Sequence, residues 1–201
     1  MLALLRPCCC LFLLLTILTG MLYPALVTVL GQLVCPHRAQ GSLIRDPSSG
    51  RVVGSELIGQ SFTEPRYLWG RPSATSPQAD NAASSSGSNL GPANPDLMSA
   101  IGGRVAALRS ADPGLSGVIP GDLVTASASG LDPDISPAAA EIQVPRIAQA
   151  RGLSRDAVRT VIQAHRQDRQ FGVLGEPRVN VLAINLALDR LSDGRPAPQR
   201  P

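Results

Sequence analysis

Residues 8–34 read CCCLFLLLTILTGMLYPALVTVLGQLV and contain no charged side chain. About 20 predominantly apolar residues are enough to cross the hydrocarbon core of a bilayer, which is roughly 30 Å thick. A cleaved signal peptide usually has a shorter apolar segment of about 7–15 residues, followed by small residues at the cleavage site. We therefore expect a retained transmembrane helix at residues 8–34, preceded by a short N-terminus at residues 1–7. Arginines lie on both sides of the span, so composition alone leaves open on which side of the membrane this N-terminus lies.

This span also carries a pattern of side chains beyond its hydropathy. Thr16, Gly20, Pro24 and Thr28 recur every four residues, which places them along one stripe of a helix. Small residues in such a stripe allow a second transmembrane helix to approach closely. Pro24 frees a backbone carbonyl, and the Tyr23 hydroxyl needs a hydrogen-bond partner that lipid does not supply. These five residues predict subunit packing; the alternative is a simple anchor whose threonines bond to their own helix.

Composition excludes several classes of protein. All 18 basic residues are arginine, so a phosphate-binding P-loop lysine and a Schiff-base lysine are both absent. The net charge is +3 and no run of like charge forms a nucleic-acid-binding arm, so we expect no nucleic-acid partner. The four cysteines lie at or before position 35 and there are two histidines, which is too few ligands for a zinc site in the region after the span.

The region directly after the span changes from strand to loop patterns. Two short β-prone runs at residues 42–45 and 51–58 flank a cluster of turn formers and predict a hairpin. Residues 62–69, called the aromatic segment below, hold three of the four aromatic residues outside the span; they supply either core or a surface for a membrane or partner. Residues 70–96 form a polar loop, in which composition favours disorder over residues 73–86.

Capping signals predict helices in the second half of the chain. The pair Asn94-Pro95 predicts a helix that runs to about residue 110. The pair Ser136-Pro137 precedes a helix over residues 138–151, in which Pro145 should cause a kink or an early break.

Two further helices and one strand complete the predicted fold. Gly152 should end the preceding helix and Ser154 should cap the next, while residues 181–191 show the apolar spacing of a last helix. Residues 122–126 resemble a short strand. The predicted fold class is a single N-terminal transmembrane helix followed by one α+β domain at residues 35–191, with a polar tail at 192–201.

Catalytic and metal-binding patterns are weak. The first glycine of a nucleophile elbow is missing, although the chain has the residue types of a Ser-His-Asp triad in Asp122, Ser127, Ser129, Asp132, Asp134 and His165. Asp132 and Asp134 could attract a cation, although acids ahead of a helix more often stabilise its N-terminus. A membrane-anchored extracytoplasmic binding protein or hydrolase that works alone remains the alternative function.

The order of eight short segments is more specific than any one of them. In the first half they read LTGMLYP (18–24), GSLIR (41–45), GSELIGQSF (54–62) and GRPSA (70–74). The second half contains GSNL (87–90), DLVTASASGLD (122–132), QVPRIAQAR (143–151) and GEPRVNVL (175–182). Over about residues 18–191 the chain resembles the C subunit of the Kdp-type potassium-transporting P-type ATPase of bacteria.

The resemblance also gives a set of candidate functional residues, each within or beside one of these segments. They are Arg71, Ser88, Asn89, Thr125, Ser127, Ser129, Asp132, Gln143, Arg146, Arg151, Pro177 and Asn180. Three positions depart from the pattern that members of this family often show, because Ser86 and Ala128 replace glycines and Asp134 replaces a histidine.

The resemblance implies a non-catalytic accessory subunit of an ATP-driven potassium uptake complex in the bacterial inner membrane. A channel-like subunit would select potassium, a P-type pump subunit would hydrolyse ATP, and this single-pass chain would join them, with a small single-span subunit as a further partner. The resemblance places residues 1–7 in the cytoplasm and the domain outside it. It also implies a catalytic chaperone that raises the ATP affinity of the pump subunit. ATP is thus implied by resemblance alone, and the residues themselves assign no cofactor or metal.

Overall fold

The computed structural model describes residues 2–46 and 49–192. The chain divides into two compact units, Met1–Val53 and Gly54–Pro201. Of the polar tail predicted at residues 192–201, Ser192 ends the last helix and the rest lies outside the described residues.

The first unit is dominated by one apolar helical stretch. Helix α1 (Leu2–Ile17) continues through a π-helical turn (Leu18–Leu22) into α2 (Tyr23–Val34). Within it, Leu4–Val34 is long and apolar enough to cross a membrane. A single residue, Tyr23, separates the π-helical turn from Pro24, which has no backbone N–H to continue the α-helical pattern. There the N–H of Tyr23 donates to the carbonyl of Leu18, five residues earlier.

A short helix and a hairpin follow the span. Helix α3 covers Pro36–Ala39, and strands β1 (Leu43–Arg45) and β2 (Val52–Ser55) form a two-stranded sheet. The predicted hairpin is therefore confirmed, although its second strand ends three residues before the predicted boundary at residue 58. It ends at Ser55 because the hydroxyl of this residue accepts a hydrogen bond from the N–H of Leu57 and starts a turn.

The predicted helices of the second unit are confirmed, with one division. Helix α4 (Pro95–Ala111) begins after Asn94, whose side chain accepts from the N–H of Asp96. The helix predicted at residues 138–151 is two helices, α5 (Pro137–Glu141) and α6 (Val144–Arg151). The break precedes Pro145, because proline is tolerated in the first turn of a helix and not in its interior.

The end of α6 and the start of the helix after it lie at the predicted caps. Helix α7 (Arg155–Ala164) starts after Ser154, whose hydroxyl accepts from the N–H of Ala157. Gly152 adopts the left-handed conformation expected after α6, with φ of 65°. Helix α8 covers Val181–Ser192.

A small antiparallel sheet links these helices. Strands β3 (Asp134–Ile135), β4 (Arg166–Gln167) and β5 (Arg178–Asn180) pair in the order β3-β5-β4, with Val179 opposite both Ile135 and Arg166. The strand predicted at residues 122–126 is wrong: Gly121–Leu123 is a 3₁₀ helix. The backbone and hydroxyl of Thr125 both donate to the carbonyl of Gly121 and close this turn. Apolar residues occur there because Leu123 and Val124 belong to the core.

The core of the second unit lies between α4–α8, the sheet and the aromatic segment. Its fully buried side chains include Leu68, Val144, Ile147, Val158, Val179, Ile184 and Leu188. Phe62 and Trp69 pack against this cluster. Of the two interpretations of the aromatic segment, the structure therefore supports the one in which it contributes to the core.

The polar loop follows a defined path, in contrast to the disorder that its composition favours. The Ser73 hydroxyl donates to the carbonyl of Gly130 at 2.7 Å and accepts from the N–H of Asp80 at 3.0 Å. The N–H of Ser86 donates to the carbonyl of Ser129 at 3.0 Å. Short polar side chains here replace the backbone pairing that regular secondary structure would provide.

Candidate functional site

The five span residues predicted to pack against another helix are all exposed in the described chain: Thr16, Gly20, Tyr23, Pro24 and Thr28. The Thr16 hydroxyl donates to the carbonyl of Phe12 at 2.8 Å, as the simple-anchor alternative expects. A Cβ at Gly20 would meet no atom within 4 Å, so this face is open. Gly20 lies inside the π-helical turn, where hydrogen bonds join residues five apart. The four-residue spacing therefore does not follow a straight α-helical stripe, and packing through these residues remains a prediction.

Two buried amide side chains hold the end of the aromatic segment. Gln143 accepts from the N–H of Trp69 at 2.9 Å and donates to its carbonyl at 3.1 Å. Asn185 does the same for the neighbouring Leu68, accepting at 2.7 Å and donating at 3.0 Å. Each amide thus satisfies both backbone polar groups of one residue, as a paired strand would. We call Gln143 and Asn185 the amide clamp.

Arg146 makes further contacts with the aromatic segment and with Gln143. It is 5% exposed, and its guanidinium donates to the backbone carbonyls of Pro65 and Tyr67 and to the Gln143 side chain. The guanidinium also lies over the Trp69 ring, 4.3 Å from the ring centroid. Burial lowers the pKa of Arg146 to about 10, partly offset by the charge of Asp112, so the side chain is protonated at neutral pH.

Arg151 holds the other side of the aromatic segment. Its guanidinium donates to the carbonyl of Arg66 at 2.7 Å, to Ser192 at 3.0 Å, and to Asp189 at 2.8 Å. It also lies 5.2 Å from the centre of the Tyr67 ring. Because Asp189 and Ser192 belong to α8, Arg151 ties α6, α8 and the aromatic segment together. Gln143, Arg146 and Arg151 thus bind backbone or neighbouring side chains of the same unit.

Two ion pairs lie where the polar loop meets the three-stranded sheet. Arg71 pairs with Asp132 at 2.9 Å, and Asp134 pairs with Arg178 at the same distance. Burial raises the pKa of Asp134, and the hydrogen bond from Asn180 and the charge of Arg178 only partly oppose this effect. Each carboxylate has an arginine partner, which weakens the interpretation that Asp132 and Asp134 attract cations. Neither caps the helix directly, since Ser136 is the N-cap of α5.

Asn180 connects this charged group to the last helix. Its side chain donates to the carbonyl of Glu56 at 3.0 Å and to Asp134 at 3.2 Å. Its side-chain oxygen accepts from the N–H of Ala183 at 2.9 Å and so satisfies a free donor in the first turn of α8. The residue thereby fixes the junction of β5, α8 and the chain after β2.

The other candidate residues have smaller structural roles. Ser129 accepts from the N–H of Leu131 at 3.1 Å, and Pro177 directly precedes β5. Ser127 is 2% exposed and its hydroxyl has no partner among the described residues. Ser88 and Asn89 are exposed, and Asn89 has a positive φ of 52°.

The structure does not assemble the triad that the sequence left open. Asp122 accepts from the backbone N–H of Ser136 at 2.7 Å, and the His165 ring lies 2.8 Å from the carbonyl of Val161. Neither contact joins the two residues to each other or to a serine hydroxyl. Among the described residues, no group of three His, Cys, Asp or Glu side chains is arranged to hold a metal ion.

An open groove of about 220 Å³ runs beside the aromatic segment. Phe62, Trp69 and Leu108 contribute apolar surface, and Arg71 and Arg104 contribute guanidinium groups. Arg104 donates to the carbonyl of Val124 at 2.7 Å. No carboxylate occurs among the described lining residues, so the groove suits a neutral or anionic group better than a cation.

Asn185 is the important residue that sequence reasoning missed. A signal was present, because Asn185 is four residues after Val181 and three before Leu188, on the apolar face of a predicted helix. A polar residue on such a face needs a buried partner. Its partner, Leu68, lies 117 residues earlier in the chain, beyond the reach of local patterns.

Comparison with known proteins gives a consistent result over nearly the whole chain. The family model KdpC, described as the c chain of the K+-transporting ATPase, matches residues 5–190. The potassium-transporting ATPase KdpC subunit of Methylococcus capsulatus is 59% identical over 92% of this chain and 97% of its own length. The subunits of the same name from Burkholderia orbicola and Methylibium petroleiphilum are each 60% identical, over 92% of this chain and 95% and 96% of theirs. The chain belongs to the KdpC family, the c chains of K+-transporting ATPases.

Proposed function

We propose that this chain is a non-catalytic accessory subunit that stabilises the assembly of an ATP-driven potassium uptake complex. Its partners would be a channel-like potassium-binding subunit, a P-type ATPase pump subunit and a small single-span subunit. Family membership over residues 5–190 supports a role in the ATPase. The observation that carries the accessory role is the use of Gln143, Arg146 and Arg151 to hold the aromatic segment, since these side chains bind the chain itself.

The experiment that tests this role is omission of the chain. Coexpression of the other subunits without it should lower the recovery of potassium-stimulated ATPase activity in detergent extracts, because the subunits would lose a shared contact. Restoring the full chain should restore recovery. Equal activity per milligram of extracted complex with and without the chain would contradict the proposal.

We also propose that the chain crosses the bacterial inner membrane once, with the α+β domain outside the cytoplasm. The apolar stretch Leu4–Val34 supports the crossing. A cysteine at Ser84, an exposed residue in the polar loop, reports the side on which the domain lies. In cells stripped of any outer membrane and carrying Cys8→Ser, Cys9→Ser, Cys10→Ser and Cys35→Ser, a membrane-impermeant thiol reagent should label it before lysis. Labelling only after lysis would put the domain inside.

The proposed function includes a catalytic-chaperone role, in which the chain raises the ATP affinity of the pump subunit. If the domain is outside and ATP is cytoplasmic, an effect on ATP affinity must pass through the span. A partner shifts an equilibrium only by contacting its states differently, so the span would pack better against one state of the pump subunit. The open face at Gly20 and the π-helical turn support such a contact.

A bulky residue at Gly20 tests this step. Gly20→Leu should lower recovery of the complex and raise the half-saturating ATP concentration of what is recovered, whereas Leu14→Ile should change neither. If Gly20→Leu matches Leu14→Ile in both measurements, packing through this face is wrong. The accessory role, tested by omission of the chain, would be unaffected.

A further inference from the structure

Three exposed apolar side chains occupy the end of the hairpin between β4 and β5. Phe171 is 91% exposed, Val173 is 74% exposed and Leu174 is 60% exposed. We call these three residues the apolar tip. Single exposed apolar residues are ordinary, but adjacent ones surrounded by polar residues often mark an interaction surface. The amide clamp and the charged groups described above do not involve the tip.

The backbone of the tip is held in an uncommon conformation. Phe171 has a positive φ of 54°, and Gly172 follows with 73°. A bulky residue in the left-handed region is an outlier, and such strain tends to persist at functional sites. Gln170 and Leu174 exchange backbone hydrogen bonds, each 2.9 Å long, which close the turn beneath Phe171. The aromatic ring is therefore presented outward by a built turn.

The base of the hairpin fixes the tip to the domain. Arg169 pairs with both carboxylate oxygens of Glu176 at 2.7 Å, across the two sides of the hairpin. Val179 on β5 is fully buried, and Arg178 pairs with Asp134 on β3. A contact made by a preorganised element loses little conformational entropy on binding, which favours its use in recognition.

We propose that the apolar tip inserts into an apolar pocket on the extramembrane surface of another subunit of the same ATPase. This inference rests on the proposed function and names one interface of the assembly. The charges beside the tip argue against an anionic lipid surface, because Arg166 pairs with Asp168 and Arg169 with Glu176. A loop that binds anionic headgroups usually offers basic residues without such partners.

The size of the tip argues against a second copy of this chain. An aromatic side chain buries about 150–250 Å², and each of the two aliphatic side chains buries somewhat less. The three together stay below the roughly 800 Å² that each partner buries in a standard interface. The tip alone is therefore smaller than the interfaces that usually hold two separate molecules together. Inside a complex already joined by a transmembrane span, however, one buried aromatic anchor contributes strongly to binding.

A photocross-linking amino acid at position 171 identifies what the tip contacts. In the complex purified through this chain, p-benzoyl-phenylalanine at Phe171 should form a product with the mass of another protein subunit. The same group at Val118, which is also 91% exposed, should give at least fivefold less product. A product with lipid alone, a product with a second copy, or no product at Phe171 would overturn the inference. If other subunits are absent even from the unsubstituted preparation, the proposed function fails as well.

A substitution separates binding from folding. Phe171→Ser in the full chain should lower recovery of the complex at least fivefold, while Phe171→Leu should keep most of it. Val118→Ser should keep full recovery. The melting temperature of each variant should equal that of the original chain, because these side chains are exposed. Full recovery with Phe171→Ser would overturn the inference and leave the accessory role in place.

Discussion

Gln143 and Asn185 hold two adjacent residues in the same way. Each uses its amide to satisfy both backbone polar groups of one residue, Trp69 for Gln143 and Leu68 for Asn185. Gln143 is the N-cap residue of α6 and Asn185 lies within α8, so the aromatic segment is fixed by two parts of the chain that are distant from it in sequence. This arrangement explains how an irregular segment can contribute the fully buried Leu68 to the core.

Asn185→Ala should lower the free energy of unfolding by about 2–4 kcal/mol, because it leaves the buried N–H and carbonyl of Leu68 without partners. The intrinsic fluorescence of Trp69, the one tryptophan, measures this during urea unfolding of the full chain in detergent. Gln163→Ala, at an exposed position on α7, is the matched control and should change stability by less than about 0.5 kcal/mol. Equal stability of both variants would refute the importance of the amide clamp.

Arg146→Lys should also lower the free energy of unfolding, by about 2–4 kcal/mol. Lysine keeps the charge but cannot reproduce the planar set of bonds to Pro65, Tyr67 and Gln143. The same substitution at the exposed Arg155 should have almost no effect. The expected loss should appear in urea unfolding; two variants that unfold at the same urea concentration would show that the geometry of Arg146 does not matter.

The raised pKa of Asp134 predicts a dependence of stability on pH. The folded state holds this proton at a pH where the unfolded chain, with an ordinary value of 3.8, has lost it. The protonated Asp134 side chain therefore contributes fully to the stability of the folded state below pH 3.8, and this contribution is lost as the pH rises through the folded-state pKa. The stability of Asp134→Asn relative to the original chain should thus increase with pH over this interval and then level off.

Urea unfolding at a series of pH values measures that difference. Asp168→Asn, which removes an exposed carboxylate with its own arginine partner, controls for the general loss of an acid. A relative stability of Asp134→Asn that decreases with pH would contradict the raised pKa of Asp134.

Two glycines with nearly equal φ angles distinguish backbone strain from side-chain crowding. Gly130 has φ of 67° and Gly152 has 65°, so alanine at either should cost about 1–2 kcal/mol from the backbone alone. A Cβ at Gly130 would lie 2.5 Å from the Thr75 side chain and 2.7 Å from the carbonyl of Ser86, while none is near Gly152. Gly130→Ala should therefore lower the free energy of unfolding by about 1–3 kcal/mol more than Gly152→Ala. Equal losses of stability would show that the polar loop does not pack at Gly130.

Local patterns predicted the elements whose determinants are local. Asn94, Ser136 and Ser154 cap helices as expected because a cap needs only its own side chain and the next few N–H groups. The strand expected at residues 122–126 failed for the opposite reason, since a strand requires a neighbour with which to pair. The apolar character that suggested it belongs to core residues around a 3₁₀ turn.

The sequence predicted which residues belong to the candidate site, but not which residues they contact. The resemblance selected Gln143, Arg146 and Arg151, yet their partners lie 74–85 residues away in the aromatic segment. The exposed and strained state of Phe171 was also hidden from the sequence, because exposure depends on how the hairpin leaves the sheet. Positions in a motif therefore predict importance, whereas roles depend on contacts between distant parts of the chain.

The most direct test of the accessory role is purification of the tagged chain from its native membrane in mild detergent. We expect the other ATPase subunits to be recovered with it in fixed proportion, and the preparation to hydrolyse ATP in a potassium-stimulated manner. The chain expressed and purified alone should show no such activity. Recovery of the chain without other subunits and without potassium-stimulated hydrolysis would contradict the account.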